Sequence, residues 1–382
     1  MEFKTNIVIC FTKRLKMKSK KKLSPLYTHP IGSLPRPRVV LDLLAERQAG
    51  TISMKEFDKR MDDFVIFAIR LQEQAGMDVV SDGEWRRAHY LNEYLERIGG
   101  FALVRPFQHH GVQKMTWVCN GKIRFRKPVF TKDAEFLVKH TTRATKFALP
   151  SPFLIAMRLW DKKFSAEFYP TLEDLMNDVA TALAIEASAL VDAGVDIIQL
   201  DDPALTYYCD TEFIKGLGHD SRIDMSRGME ERIPAAVAAI NRITDGLETE
   251  VHLHCCHSVF KRGSDVKGSY RPILPYFNKL KVNRINVEFA YKDTGHAADL
   301  AQFPAHVGAG LGVVDVRSER IQTVDEIIRL TSDCLKHIDP KRVALNPDCG
   351  FAPDSGEPPT LDEAYQKLRN LCEAARRLRD KD

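Results

Sequence analysis

The 382-residue chain holds 56 Lys and Arg against 52 Asp and Glu, a formal net charge of +4, with 44% hydrophobic and 28% charged residues. These values describe a globular chain with a sizeable core and exclude an intrinsically disordered class. No run of about 20 apolar residues is present to span a bilayer, and eight cysteines scattered over the chain do not make a disulfide scaffold.

In chain order, residues 1–24 come first, with eight Lys or Arg against Glu2 alone, so the basicity belongs to this leader and the rest is slightly acidic. We expect the leader to be solvated and disordered. Its apolar run Ile7 to Phe11 is too short for a signal-peptide core and precedes most of the charge, so a cytoplasmic location is expected. From residue 26 onward, short runs rich in Val and Ile alternate with stretches of helical period, the pattern of βα units on a parallel sheet. Eight strands are predicted: Tyr27–Ser33, Asp78–Gly83, Lys146–Pro150, Val195–Asp201, Val251–Cys256, Arg284–Phe289, His306–Gly310 and Arg342–Asn346. Helices are predicted from Met54 to Gly76, Leu172 to Ala193, Met229 to Gly246, Val324 to His337 and Leu361 to Arg379. Thr171 and Thr360 read as N-caps, and Gly76, Gly194 and Gly246 as C-terminal stops. Between Gly99 and Phe130, alternation such as Thr116-Trp117-Val118 predicts a β-hairpin that overhangs the mouth of the fold. The expected architecture is an α/β (β/α)8 TIM barrel over residues 25–382, with that hairpin inserted after strand 2.

Reactive groups in such a barrel lie at the C-terminal strand ends, where loops vary freely above a packed scaffold. His254 and Cys256, two apart at the end of one strand, share a face, while Cys255 points away. Glu288 ends the next strand and Cys349 follows the last. Nitrogen and sulfur donors with one carboxylate suit Zn2+ in tetrahedral geometry. Each residue alone has a blander reading, a buried hydrophobe for Cys and a solvated acid for Glu, but four at neighbouring strand ends favour a metal site.

From about Thr28 onward the sequence resembles the C-terminal catalytic barrel of cobalamin-independent methionine synthase. The resemblance rests on Ile31-Gly32-Ser33, Asp82-Gly83-Glu84, Ile197-Ile198-Gln199-Leu200-Asp201 with Pro203-Ala204-Leu205, His254-x-Cys256, Val287-Glu288, Gly312-Val313 with Asp315, and Asn346-Pro347-Asp348-Cys349-Gly350. It implies zinc ligands at His254, Cys256, Glu288 and Cys349, and homocysteine contacts at Ile31, Gly32, Ser33, Glu84 and Asp201. Zinc would strip the proton from the substrate thiol, which then takes a methyl group to give methionine.

The pattern departs from folate-dependent members of that family. Arg317 stands where they carry a proton-donating His, and arginine does not release a proton near neutrality. Tyr207 replaces a folate-contacting Glu, and Asp201-Asp202 replaces an Asp-Glu pair. Asp315 and Arg317 are the catalytic candidates, and Arg124, Phe125, Trp160 and Tyr207 the candidates for a donor pocket. The donor stays open between a methylated corrinoid and a folate. A second reading is thiol addition of the epoxyalkane:coenzyme M transferase type, with Arg317, Arg124 and Arg126 supplying positive charge for a sulfonate thiol. A third is a non-catalytic zinc barrel that binds a corrinoid or pterin partner. His252 and His257 flank the ligands, Asp348 is a candidate for orienting one of them, and Arg86, Arg87 and His89 are expected to face solvent.

Overall fold

The computed structural model describes residues 21–109, 112–218, 227–259, 262–264, 266–352 and 359–380. Residues 1–20 of the basic leader lie outside the described residues.

Among the described residues there are ten strands: β1 (Tyr27–Thr28), β2 (Val79–Val80), β3 (Phe101–His109), β4 (Val112–Cys119), β5 (Ala144–Pro150), β6 (Ile197–Asp201), β7 (Glu250–His254), β8 (Arg284–Glu288), β9 (Gly308–Val314) and β10 (Val343–Pro347). Eight of them form one parallel sheet in the order β1-β10-β9-β8-β7-β6-β5-β2, and helices connect them. This is the expected TIM barrel. The other two strands, β3 and β4, pair antiparallel with each other between β2 and β5.

Hydrogen bonding runs from strand to strand except between β1 and β2. There a side chain takes the place of the ladder. Asp78 Oδ2 accepts from the Thr28 backbone N–H at 2.8 Å and from its hydroxyl at 3.0 Å, while the Asp78 N–H donates back to Thr28 Oγ1 at 3.0 Å.

The helices form where the caps predict. Thr171 and Thr360 accept from the N–H groups of Asp174 and Glu363, so each satisfies a donor that the first helical turn leaves open. Gly76 closes its helix in the left-handed region at φ 96°, a conformation that costs a residue with Cβ. The helix Arg38–Gln48 has no predicted counterpart; it begins after Pro37 without a side-chain cap.

Apolar and polar side chains both meet inside the barrel. Tyr27, Val79, Ala144, Ile197 and Ala344 form a small apolar cluster apart from the main core. Polar side chains meet across the barrel nearby. The Tyr27 hydroxyl donates to Glu250 Oε1 at 2.8 Å, Arg284 Nε donates to Tyr27 Oη at 3.1 Å, and Asn286 Nδ2 donates to Gln199 Oε1 at 3.0 Å. Lys146, wholly buried, donates to the Pro30 carbonyl at 2.8 Å and lies 2.9 Å from His29 Nδ1.

The seventh barrel strand, β9, corrects one expected boundary. Its run Gly308-Ala309-Gly310-Leu311-Gly312 continues to Val314 instead of stopping at Gly310. Alternate glycines leave space that neighbouring polar side chains fill. A Cβ at Gly310 would overlap Asn286 Oδ1 and sit 2.7 Å from Asn346 Oδ1. The glycines therefore belong to a strand whose inner edge is kept bare, not to a turn.

Candidate metal centre

The site is assembled by strand ends. His254 closes β7, Cys256 lies two residues beyond, and Cys349 lies two residues past β10. All three are buried, and one ligand atom from each falls within 4.8 Å of the others. The chemistry of this trio fits a soft or borderline divalent cation, one imidazole with two sulfurs. His254 shows how the fit is prepared. Its Nδ1 is 3.0 Å from Asp201 Oδ1, whereas its Nε2 is buried with no hydrogen-bond partner. A buried ring nitrogen left unpaired costs free energy, and a metal ligand bond removes that cost.

The same proximity perturbs the ionisable groups. The hydrogen bond with Cys349 holds the Cys256 thiol well below its usual range, the nearby His254 adding to the effect against burial. Cys349 moves the other way, pushed up by that shared hydrogen bond and by burial. Burial opposes protonation of His254, yet Cys256 and Asp201 together raise its pKa to about 10.

The structure does not bring Glu288 into this group. Its Oε1 accepts from Arg317 Nη2 at 2.8 Å; its Oε2 accepts from the His257 backbone N–H at 2.9 Å and lies 2.8 Å from His257 Nδ1. Burial works against ionisation, but Arg317 and His257 bring the Glu288 carboxyl down to about 2. Arg317 is buried as well and sits over the Tyr291 ring at 4.8 Å. Asp315 shapes the turn that presents it, its Oδ1 accepting from the Arg317 and Ser318 N–H groups at 2.7 and 3.2 Å. Asp348 accepts from the N–H groups of Phe289, Ala290 and Tyr291 at 3.1, 3.1 and 2.8 Å, which ties the end of β8 to the Cys349 loop.

The residues expected to hold the amino acid flank the metal group. Glu84 is buried and lies in the left-handed region at φ 58°, a strained conformation for a non-glycine residue. Gly32 packs against it so closely that a Cβ there would overlap Glu84 Oε1. Burial pushes the Glu84 carboxyl up to about 7; Arg87, 3.9 Å away, opposes this, and the charges of Asp201 and Asp82 add to it. Asp201 Oδ1 also accepts from Gln199 Nε2 at 2.7 Å, and the same amide donates to the Ile31 carbonyl at 2.7 Å. Ser33 joins its segment to the Cys349 loop: its carbonyl accepts from the Phe351 N–H at 2.9 Å and its hydroxyl oxygen from the Ala352 N–H at 3.2 Å.

The donor-pocket candidates are more dispersed. The Tyr207 hydroxyl accepts from Arg158 Nε and Nη2 at 3.0 and 2.9 Å, and Arg158 Nη1 donates to the Tyr90 hydroxyl at 3.1 Å. Trp160 is buried and its indole N–H donates to the Tyr169 carbonyl at 2.8 Å, which makes it a packing residue. Phe125 packs half-buried against the main core, and Arg124 is exposed.

Two arginines expected in solvent are buried. Arg86 reaches Asp62 at 2.5 Å and Asp133 at 3.4 Å, and Arg87 stacks against the Phe130 and Phe147 rings, each 4.6 Å from its guanidinium. Sequence reasoning also missed the Arg158–Tyr207 pair and the bond from Asp201 to His254. For the latter a signal exists, since Asp201 and His254 are register partners at the ends of β6 and β7.

Residues 26–377 match the family model described as cobalamin-independent synthase, catalytic domain. The chain is similar to the methionine synthase of Pyrococcus abyssi, 30% identical over 360 residues that cover 93% of both proteins. It is 31% identical over 371 residues to the methionine synthase of Saccharolobus islandicus, covering 94% of this chain and 96% of that protein. Among solved structures, a B12-independent methionine synthase from Shewanella, in complex with selenomethionine, superposes with a TM-score of 0.74 at 24% identity, over 94% of this chain and 99% of that one. With the family model spanning nearly the whole barrel, the chain belongs to the cobalamin-independent synthase catalytic-domain family.

Proposed function

We propose that the protein is a zinc-dependent methyltransferase that methylates the thiol of homocysteine to give methionine. The observation that carries this is the buried His254, Cys256 and Cys349 trio, with an unpaired His254 Nε2 directed by Asp201 on the opposite nitrogen. These three residues would hold the metal. When bound, zinc supplies a Lewis acid that favours the thiolate over the thiol of a substrate with an ordinary pKa near 8.5.

The chain's own residues account for the amino-acid end. Glu84 is raised to about 7 because nothing beside it compensates its burial fully, so a substrate ammonium would ionise it and gain a charge-assisted bond. Asp201 lies on the same side and adds a second negative charge. In the transfer, a sulfur–carbon bond forms, the donor's bond to the methyl carbon breaks, and the electron pair of that bond stays with the donor. The sulfonate-thiol reading loses support because Arg317, one of the cations it needs, is engaged by Glu288.

The reading is tested by loading the protein with zinc and assaying homocysteine and coenzyme M against methylcobalamin, methyltetrahydrofolate and short epoxides. Methionine formation with at least one methyl donor is expected. Turnover with coenzyme M alone, or no thiol alkylation by a zinc-replete protein, would overturn it.

A further inference from the structure

Glu84 and Arg87 are buried together, at 4% and 1% exposure, yet they do not close into a hydrogen-bonded pair. Arg87 Nη1 stops 3.9 Å from Glu84 Oε1. The same nitrogen donates to the Ala148 carbonyl at 2.9 Å, and the guanidinium lies against the Phe130 and Phe147 rings, 4.6 Å from each. Both rings are fixed. Phe147 sits within β5, and the Val129 and Phe130 N–H groups donate to the Glu186 carboxylate at 2.6 and 2.8 Å. Glu84 Oε1 itself rests over Gly32, where a Cβ would overlap it. Among the described residues, no group donates a hydrogen bond to either carboxylate oxygen of Glu84.

We propose that Arg87 is the positioning residue of the amino-acid end, held at a distance from which its charge balances Glu84 while both carboxylate oxygens are left to the substrate ammonium. This rests on the homocysteine reading above. A guanidinium in direct contact would take the oxygens as a bidentate pair, and an ammonium would have to displace it. Removing the guanidinium is no better. Even beside Arg87, burial pushes the Glu84 carboxyl up to about 7, so without that charge the site would hold a neutral acid, a weaker acceptor for an ammonium. The surrounding charges agree. Glu84 also faces Asp201, Asp82 and Arg36, and Arg36 is engaged by backbone, donating to the Glu84 and Ala352 carbonyls at 3.0 and 3.2 Å. Three carboxylates against two guanidiniums leave a place for a single further cation.

The test measures dissociation constants by calorimetry on the full chain loaded with zinc, for L-homocysteine and for 4-mercaptobutanoate, which is homocysteine without its amino group. Wild type should prefer homocysteine by about tenfold or more, the worth of a hydrogen bond to a charged group. Arg87→Met should keep its zinc, lose about tenfold or more in homocysteine affinity, and hold 4-mercaptobutanoate within about threefold of wild type. Because Arg87 acts through Glu84, adding Arg87→Met to Glu84→Gln should change homocysteine affinity by less than about twofold. Undiminished homocysteine affinity or equal losses for both thiols in Arg87→Met, or a larger further loss in the double variant, overturns the proposal. The double variant decides the matter even if Arg87→Met alone fails to fold. A wild type that binds both thiols equally overturns the amino-acid reading instead.

Discussion

The wall of the barrel formed by β6, β7 and β10 and the side that carries the β3–β4 hairpin behave differently. On the first, residues far apart in sequence arrive at one point: Asp201, His254, Cys256 and Cys349 are within contact of a neighbour in the group. On the second, the residues expected around a donor scatter, with Trp160 in the packed interior and Arg124 in solvent. Parallel register fixes where a strand end lies and which way its side chain points, whereas the insertion is placed by contacts outside the ladder, such as the Ser165 hydroxyl on the Cys119 carbonyl. Strand-end residues other than Glu288 can therefore be assigned a place from sequence, and Arg124 and Phe125 of the insertion cannot.

The sharpest way to break this comparison is to remove a ligand from the ordered wall. Cys349→Ala or His254→Ala should purify with native circular dichroism, sharply reduced zinc by elemental analysis and no alkyl transfer; full metal content in either would remove the basis for the site. Asp201→Asn comes next, because it keeps the shape but loses the carboxylate against His254 Nδ1. Metal affinity should fall about 10- to 100-fold by competition with a chelating dye, since a His ligand depends on its outer partner.

Gly310→Ala, on β9 next to β10, probes that wall from its neighbour. The new methyl would press on the Asn286 and Asn346 amides, and the cost expected of such overpacking is about 1–3 kcal/mol, read as a lower midpoint in urea. The buried His252 gives a pH signature. Burial, the largest effect, lowers its pKa to about 4 although Glu250 pulls it up, so the folded chain keeps it neutral while the unfolded chain protonates near pH 6.5. Stability is then fully present above that value and falls as pH drops from about 6.5 to 4, with a slope of about 1.4 kcal/mol per pH unit for this group. His252→Gln should remove that part of the slope, and an unchanged slope would exclude His252 as its source. The smallest effect belongs to the other side: Arg124→Ala should leave metal content untouched and change stability by less than about 0.5 kcal/mol, as exposed positions do. A large loss of metal there would erase the contrast between the two regions.

Most of the framework was legible in the sequence because period and caps are local signals. Thr171, Thr360 and Gly76 end their helices as their chemistry dictates. The helix Arg38–Gln48 was missed because its first turn carries no side-chain cap. β9 extends to Val314, beyond the expected Gly310, and the Asn286 and Asn346 side chains across the barrel show why its glycines are needed. Within the site, His254, Cys256 and Cys349 follow from strand ends alone. Glu288 does not, since the direction of its carboxylate depends on Arg317 and His257, from loops that sequence spacing leaves unplaced. Arg86 and Arg87 were read as surface charges for the same reason: the acids and rings that receive them come from elsewhere in the chain.

The Thr28–Asp78 clasp stands at the single gap in the barrel's backbone ladder. The segments leaving its two strands carry Ser33 and Glu84, the groups placed on the amino-acid end of the substrate. Beyond the clasp these segments are tied again, the Leu34 N–H donating to the Gly83 carbonyl at 3.0 Å, the Ser81 hydroxyl to the Gly32 carbonyl at 3.2 Å and the Trp85 indole N–H to the Leu34 carbonyl at 3.3 Å, so Ser33 and Glu84 are carried as one unit. Cutting the clasp would therefore displace both groups together, along with the Cys349 loop that Ser33 holds, and open no cleft between them.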